Sequence, residues 1–348
     1  MSLQIPSIPL PDETAAAAAR ARQDQLTKPA GSLGRLEELS IQLAAATGQA
    51  RPSVARKAVI VMAGDHGVVV EGVSAYPAEV TPEMVLNFVA GGAAINVLSR
   101  QAGARVIVVD VGVAADMEPN PAIVSAKVRH GTRNMAVEPA MTRAEVEQAI
   151  QVGMDVVRRE IEAGLDLVAT GDMGIGNTTP SSAITAVFTG LSPRLVTGRG
   201  TGLDDEGLSR KAAIIEKALA ANRPDPADAL DVLAKVGGLE IAGLVGVILG
   251  AAERRVPVMI DGFISGAAAL IAAELAPGVK PYLIAAHQSV EIGHRAILER
   301  LGLRPLLTLD LCLGEGTGAA LAFHLAEAAV RTLNEMATFD QAGVATKE

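Results

Sequence analysis

Tryptophan is absent, tyrosine occurs 2 times and phenylalanine 5 times, so aromatic side chains make up 2% of a chain of 348 residues. A hydrophobic fraction of 49% must therefore form its core from Ala, Val, Ile and Leu, which suits helices packed closely on a parallel sheet. Cysteine occurs once, at Cys312. That excludes an internal disulfide and fits a reducing, cytoplasmic compartment. Basic runs are missing as well: Arg254-Arg255 is the nearest approach, and the formal net charge is -9. Nucleic-acid polymers and membrane surfaces are therefore poor candidate partners, while a small anion held in one local pocket is not excluded. Met1 to Pro11 has neither the basic opening nor the apolar block of a signal peptide. A mean hydropathy of +0.33 raises the question of membrane insertion. The longest apolar stretches, Ile241 to Ala252 and Phe263 to Ala273, fall short of the roughly 20 residues a spanning helix needs and read as buried helices.

The length accommodates one large α/β domain and a smaller unit. Two helices come first, from Asp12 to Gln25 and from Ser32 to about Ala46, separated by the breaker Lys28-Pro29-Ala30-Gly31. Short β-branched runs then alternate with long helical patterns. The candidate strands are Ala58 to Met62, Arg105 to Val111, Leu165 to Ala169, Val256 to Ile260, Pro281 to Ile284 and Leu306 to Leu311. Runs apolar on both faces and separated by helices indicate a doubly wound, mostly parallel α/β sheet of Rossmann-like type. Cys312, next to the last run, is expected to be buried. Helix starts fit this reading: Thr142 with Glu145 forms a capping box, Asp204-Asp205-Glu206 loads a first turn with acid, and Asp225-Pro226 supplies a cap and a leading proline. A helix after Glu315 runs to about Asn334, and Thr338 to Glu348 reads as a tail or short extra segment.

The chemistry collects in the segments just after the strands. In order come Gly64-Asp65-His66-Gly67, Gly112 to Asp116, Gly171 to Thr179, Asp261 to Gly266, His287-Gln288-Ser289 and Gly314 to Gly318. In an open parallel sheet, ligands bind beyond the carboxyl ends of the strands, so these segments converge on one edge. Glycine-rich turns that open helices offer backbone N–H groups to phosphate. Gly174-Ile175-Gly176-Asn177-Thr178-Thr179 has this form, as does Gly198-Arg199-Gly200-Thr201-Gly202 with Lys211 one or two turns further on. Neither is a P-loop, and neither completes a dinucleotide fingerprint. A dinucleotide-dependent dehydrogenase is thus weakly supported, and no Gly-x-Ser-x-Gly elbow supports a serine hydrolase.

None of the five histidines is spaced as a zinc pair on a helix, so no metal is expected. Asp65-His66 could be a ligand pair, but a structural hydrogen-bond role is the better reading. Glu315 lies at the mouth of an apolar run between two glycines, where burial should raise its pKa and make it a better base. A capping role at the following helix accounts equally well for its position.

Several blocks together resemble one family. They are Leu26-Thr27-Lys28-Pro29 with Gly31-Ser32-Leu33-Gly34, Ala63 to Gly67, Glu71 to Pro77, Gly91 to Asn96, Gly174 to Thr179, Gly198 to Gly202, Asp261-Gly262-Phe263 and Leu313 to Gly316. Across nearly the whole chain the sequence resembles the nicotinate-nucleotide–dimethylbenzimidazole phosphoribosyltransferases of cobalamin lower-loop assembly. The resemblance implies a doubly wound domain, spanning 51–314, and a small helical domain built from both chain ends, 1–50 and 315–348. It also implies a homodimer, small-molecule substrates and no cofactor. By the same resemblance Glu315 is the catalytic proton acceptor, Lys211 lies near the nucleotide, Ser289 lies on the phosphate side, and Tyr76 and Met84 line the benzimidazole pocket. Asp172 stands where the family usually has Glu; it keeps the charge on a shorter arm and is the second expected catalytic group. Gly174, Gly176, Asn177, Thr178, Gly200, Gly202, Asp261 and Leu313, all within the matching blocks, complete the expected substrate contacts. Two alternatives remain at this point: a nucleotide-sensing module without catalysis, and a magnesium-dependent phosphoribosyltransferase that uses a diphosphate donor.

Overall fold

A computed structural model describes residues 3–200 and 202–345. Thr201, in the expected Gly198 to Gly202 loop, lies outside the described residues, as do residues 1–2 and 346–348 at the two chain ends. Six strands run Lys57–Gly64 (β1), Ala104–Gly112 (β2), Ile123–Ser125 (β3), Leu167–Met173 (β4), Val258–Ile260 (β5) and Leu283–Ala285 (β6). They form one sheet in the order β3-β2-β1-β4-β5-β6, with every pairing parallel. The order reverses between β1 and β4, and the adjoining strand ends open the crevice where such sheets hold ligands. Every residue of β1 is buried, as expected of a central strand covered on both faces.

One face of the sheet carries helices from both ends of the chain. Glu13–Gln25 (α1) and Arg35–Thr47 (α2) precede the sheet, and Val80–Ala90 (α3) and Ala94–Gln101 (α4) follow β1. The stretch Val80–Gln101 is longer than either apolar run noted from sequence. It has 22 residues and a mean hydropathy of 1.2, enough for a membrane span by length and composition alone. It is broken at Gly91, whose φ is +79°, and Val85, Phe88 and Ile95 are buried against the sheet. The opposite face is covered by Arg143–Glu162 (α5) and by helices that follow β4. These are Thr178–Thr189 (α6), Pro193–Val196 (α7), Asp205–Asn222 (α8), Ala229–Val236 (α9) and Leu239–Glu253 (α10). Phe263–Leu275 (α11) follows β5, and Ile292–Leu301 (α12) follows β6. Helices α5 and α10 pack backbone to backbone: a Cβ on Gly153 would lie 1.9 Å from Gly243 O, and one on Gly246 would lie 1.9 Å from Ile150 O. Such close approach fills a core poor in aromatic rings.

Thr317–Glu335 (α13) returns to the first face, where Ala319, Phe323 and Ala326 join Val59, Val61 and Ala169 in one apolar layer. Arg22 of α1 donates to the carbonyls of Leu333 and Met336, and Leu26 forms an antiparallel bridge with Thr338. Both ends of the chain therefore meet. Phe339–Ala342 (α14) closes the described chain.

The Thr142–Glu145 capping box and the Asp204 cap are present. Four expectations are corrected. The cap of α9 is Asp228, which takes the N–H groups of Leu230 and Asp231, so the cap lies three residues after Asp225. Strand β3 is an addition to the expected set. Leu306 to Leu311 is not a regular strand: Pro305 precedes it, the N–H groups of Leu306 and Leu307 reach the carbonyls of Ala285 and Ala286, and pairing is limited to a single His287–Leu307 bridge. Cys312 is exposed rather than buried, because this segment leaves the sheet edge instead of continuing through it.

Candidate active site

A cavity of about 360 Å³ opens at the carboxyl ends of β4, β5 and β6, roofed by residues around α3. Of the residues expected from sequence, Tyr76, Met84, Asp172, Gly174, Asn177, Thr178, Gly200, Ser289, Leu313 and Glu315 line it. Gly176, Gly202, Lys211 and Asp261 do not. Gly176 turns the loop into α6 at φ +89°. Lys211, fully buried in α8, donates to Thr178 Oγ1 at 2.6 Å from behind the wall. Burial lowers its pKa to about 8, opposed by the charge of Glu291.

Asp261 is a supporting residue. Its carboxylate accepts the N–H of Gly316 at 3.2 Å and that of Ala319 at 2.9 Å. It therefore occupies the capping position at α13 that was one reading of Glu315. Burial pushes Asp261 up to about 7, against the pull of these backbone donors.

Glu315 is 5% exposed and faces the cavity. Its Oε2 accepts the N–H of Ile95 at 3.2 Å. Burial raises its pKa, and the bond from Ile95 only partly offsets that. The backbone here is unusual: Gly314, Glu315 and Gly316 have φ of +84°, +62° and +94°. A left-handed, non-glycine residue at a functional position stores strain that its surroundings must maintain. The flanking glycines supply the freedom the turn needs.

Asp172, at the end of β4, is 5% exposed. Its Oδ2 accepts from Asn177 Nδ2 at 2.9 Å. Its Oδ1 is buried without a hydrogen-bond partner among the described residues. Burial, then the charges of Asp261 and Glu240, hold this carboxyl well above the usual range, with Asn177 opposing. Behind it, His66 pairs with Glu240 at 2.9 Å, both buried, which is the structural role expected for this histidine. Burial alone would lower the His66 pKa, but the charge and hydrogen bond of Glu240 outweigh it and raise it.

Phe263, Ile264 and His287 fall in segments expected at the site but were not singled out as contacts, and Glu291 and Cys312 were missed; all five are on the cavity wall. Phe263 ends the matching block Asp261-Gly262-Phe263, and Glu291 stands two residues beyond Ser289 at the entry to α12. Position after a strand end was the available signal for both. Among the described residues no group of His, Cys, Asp and Glu is arranged to hold a metal ion.

Buried carboxylates facing an apolar slot, beside glycine-rich turns at the switch point of a parallel sheet, suit chemistry on a phosphorylated sugar. A family model described as Phosphoribosyltransferase matches residues 8–344, so the chain is a phosphoribosyltransferase. A nicotinate-nucleotide–dimethylbenzimidazole phosphoribosyltransferase of Chloroflexus aggregans is 63% identical over 337 residues, covering 97% of this chain and 96% of the relative. One of Roseiflexus sp. strain RS-1 is also 63% identical, over 336 residues, at 97% and 95% coverage. The crystal structure of CobT from Thermus thermophilus superimposes with a TM-score of 0.93 at 52% identity, covering 96% of this chain and all of that one. The chain belongs to the nicotinate-nucleotide–dimethylbenzimidazole phosphoribosyltransferase family.

Proposed function

We propose that the enzyme moves ribose 5-phosphate from nicotinate mononucleotide to 5,6-dimethylbenzimidazole in cobalamin lower-loop biosynthesis, giving α-ribazole 5′-phosphate and nicotinate. The observation that carries this reading is the placement of Glu315, a buried carboxylate on the wall of an apolar slot that also opens on glycine-rich turns. The slot is lined by Met84, Phe263, Ile264 and Leu313 and suits a planar base.

The donor's glycosidic bond ends at a pyridinium nitrogen. As that bond lengthens, nicotinate leaves with a neutral ring nitrogen and C1′ gains positive charge. Asp172, whose Oδ1 lacks a partner among the described residues, is suited to stabilise that charge in a site sheltered from water. The cationic donor ring should itself draw Asp172 into its ionised form. One nitrogen of the base attacks C1′, which makes the other nitrogen's N–H acidic. Glu315 accepts that proton. Gly200, Thr178 and Ser289 hold the phosphate, with Lys211 supplying positive charge from behind Thr178, and so fix the ribose between the two rings. The reaction balances in bonds and charge with no metal and no organic cofactor.

We place the enzyme in the cytoplasm, which its single cysteine suits, and as a homodimer, a reading supported by the exposed apolar side chains Val290, Ile292 and Leu309. We assign 51–314 as the large α/β domain, with 1–50 and 315–348 joined as a helical unit; contacts of α1 and α2 with α13 support this. The test is to incubate purified protein with nicotinate mononucleotide and a panel of bases, then to identify products by mass and glycosidic configuration. Release of nicotinate only when a base is added, with an α-linked product, is expected. No release, or release only with magnesium and a diphosphate donor, would overturn the reading.

A further inference from the structure

Glu291 has no part in the chemistry described so far, yet it is placed against the phosphate cradle. It precedes α12 and is 7% exposed. Its Oε1 accepts the N–H of Gly200 at 2.9 Å. Its Oε2 is buried without a hydrogen-bond partner among the described residues. The carboxylate presses on the loop so closely that a Cβ on Gly198 would lie 1.9 Å from Oε2. Gly200 in turn abuts the polar groups of the cradle: a Cβ there would lie 3.2 Å from Lys211 Nζ and 3.0 Å from Thr178 Oγ1. Ser289 Oγ accepts the N–H of Glu291 at 3.2 Å.

A simpler account exists. An acidic residue at the start of a helix is favoured by the helix dipole, and a carboxylate can pin a loop. Pinning needs one oxygen, however, and leaves the second buried and unsatisfied at a real energetic cost. A carboxylate and a phosphate monoester are both anions that accept from backbone N–H groups, and Gly200 has only one N–H to give.

We propose that Glu291 is an internal stand-in for the donor's phosphate, seated in the cradle of the empty enzyme and displaced when a phosphate monoester enters. This rests on the phosphate placement given for nicotinate mononucleotide. Binding then exchanges one anion for another. Lys211 keeps a counter-charge while the site is empty, and the glycine loop keeps an occupant that holds its shape. Free inorganic phosphate, which gains nothing from the apolar slot, competes poorly against the resident carboxylate. A donor whose ring also binds can displace it.

The experiment measures equilibrium binding of inorganic phosphate, nicotinate mononucleotide and nicotinate riboside, which lacks the phosphate, to three proteins: wild type, Glu291→Gln and Lys211→Met. Melting curves confirm that each variant is folded. Glutamine retains an oxygen for Gly200 and removes the charge. The expected result for Glu291→Gln is binding of phosphate and mononucleotide on the order of tenfold tighter, a fraction of what a close like-charge contact can cost, with riboside affinity unchanged. Unchanged or weaker mononucleotide binding, or equal changes for mononucleotide and riboside, would overturn the proposal. Lys211→Met tests the placement itself and should lose affinity for the mononucleotide but not for the riboside. If it does so while Glu291→Gln fails to tighten binding, the placement stands and the stand-in role falls. If Lys211→Met weakens both ligands equally, the phosphate lies elsewhere and both fall.

Discussion

Asp261 accepts the backbone N–H of Gly316 at 3.2 Å and so ties the end of β5 to the residue that follows the proposed base. With Ala319 also held by the same carboxylate, the turn carrying Glu315 is fixed from below while Ile95 fixes the side chain from above. The strained left-handed run at 314–316 is thus held by contacts from two other segments of the chain.

Glu315→Gln should leave the fold and donor binding intact and lower turnover on the order of 10²–10⁴-fold, the usual contribution of a positioned base. Because burial raises the Glu315 pKa and the base must be ionised to work, kcat/KM should fall as pH drops, beginning above the ordinary glutamate value of about 4.3. A pH–rate profile checks both points. Wild-type turnover in the glutamine variant would remove Glu315 from the mechanism.

Asp172→Asn should damage turnover far more than affinity for the acceptor base, since the charge is needed at C1′ as the donor bond breaks. Separate measurement of kcat and of acceptor binding decides the matter. A defect confined to acceptor affinity would contradict the charge-stabilising role.

Asp261 titrates at about 7 in the folded protein and near 3.9 when unfolded. Between these values the folded state retains a proton that the unfolded state releases, so this group favours folding at low pH and its contribution is lost as pH rises through about 7. Asn lacks this titration. Melting of wild type and Asp261→Asn across roughly pH 4.5 to 8 should therefore show the wild type losing ground to the variant as pH increases. A difference independent of pH would show that the carboxyl is ionised throughout.

Lys211 is held down to about 8 by burial. Above that pH it loses the charge proposed to attract phosphate, so kcat/KM for nicotinate mononucleotide should decline as pH rises through about 8. The decline should be absent in Lys211→Met, whose kcat/KM is low throughout.

Cys312 is the chain's single thiol, is exposed, and lines the cavity. Alkylation by iodoacetamide, followed by mass spectrometry, should be slowed several-fold by nicotinate mononucleotide with a base present. Labelling at an unchanged rate would mean that the substrates leave this wall uncovered.

The strands that bury both faces were legible because their apolar runs are continuous; β1, β2 and β4 differ from expectation by a few residues at most. Strand β3 was not, since three residues after Pro119 and Pro121 carry no periodicity of their own and pair only because β2 offers an edge. Leu306 to Leu311 had strand composition, but no regular partner extends beside it past the first bridge. Placement on the cavity wall was legible where a strand ends, as at Asp172, Ser289 and Glu315. The role of Asp261 was not, because a capping carboxylate and a substrate-binding one look alike in sequence. Glu291 could be recognised only once Gly198 and Gly200, about ninety residues earlier in the chain, were seen against it.

The turn at 314–316 and helix α13 come after all six strands in the chain. During synthesis the sheet is made before the segment that covers Val59, Val61, Ala169 and Met259 on its first face. The part of that face beneath α13 stays open and apolar until α13 leaves the ribosome, a stage at which nascent chains are prone to aggregate. The same segment delivers the proposed proton acceptor, so on that reading closing the core and arming the enzyme are one late event in its biogenesis.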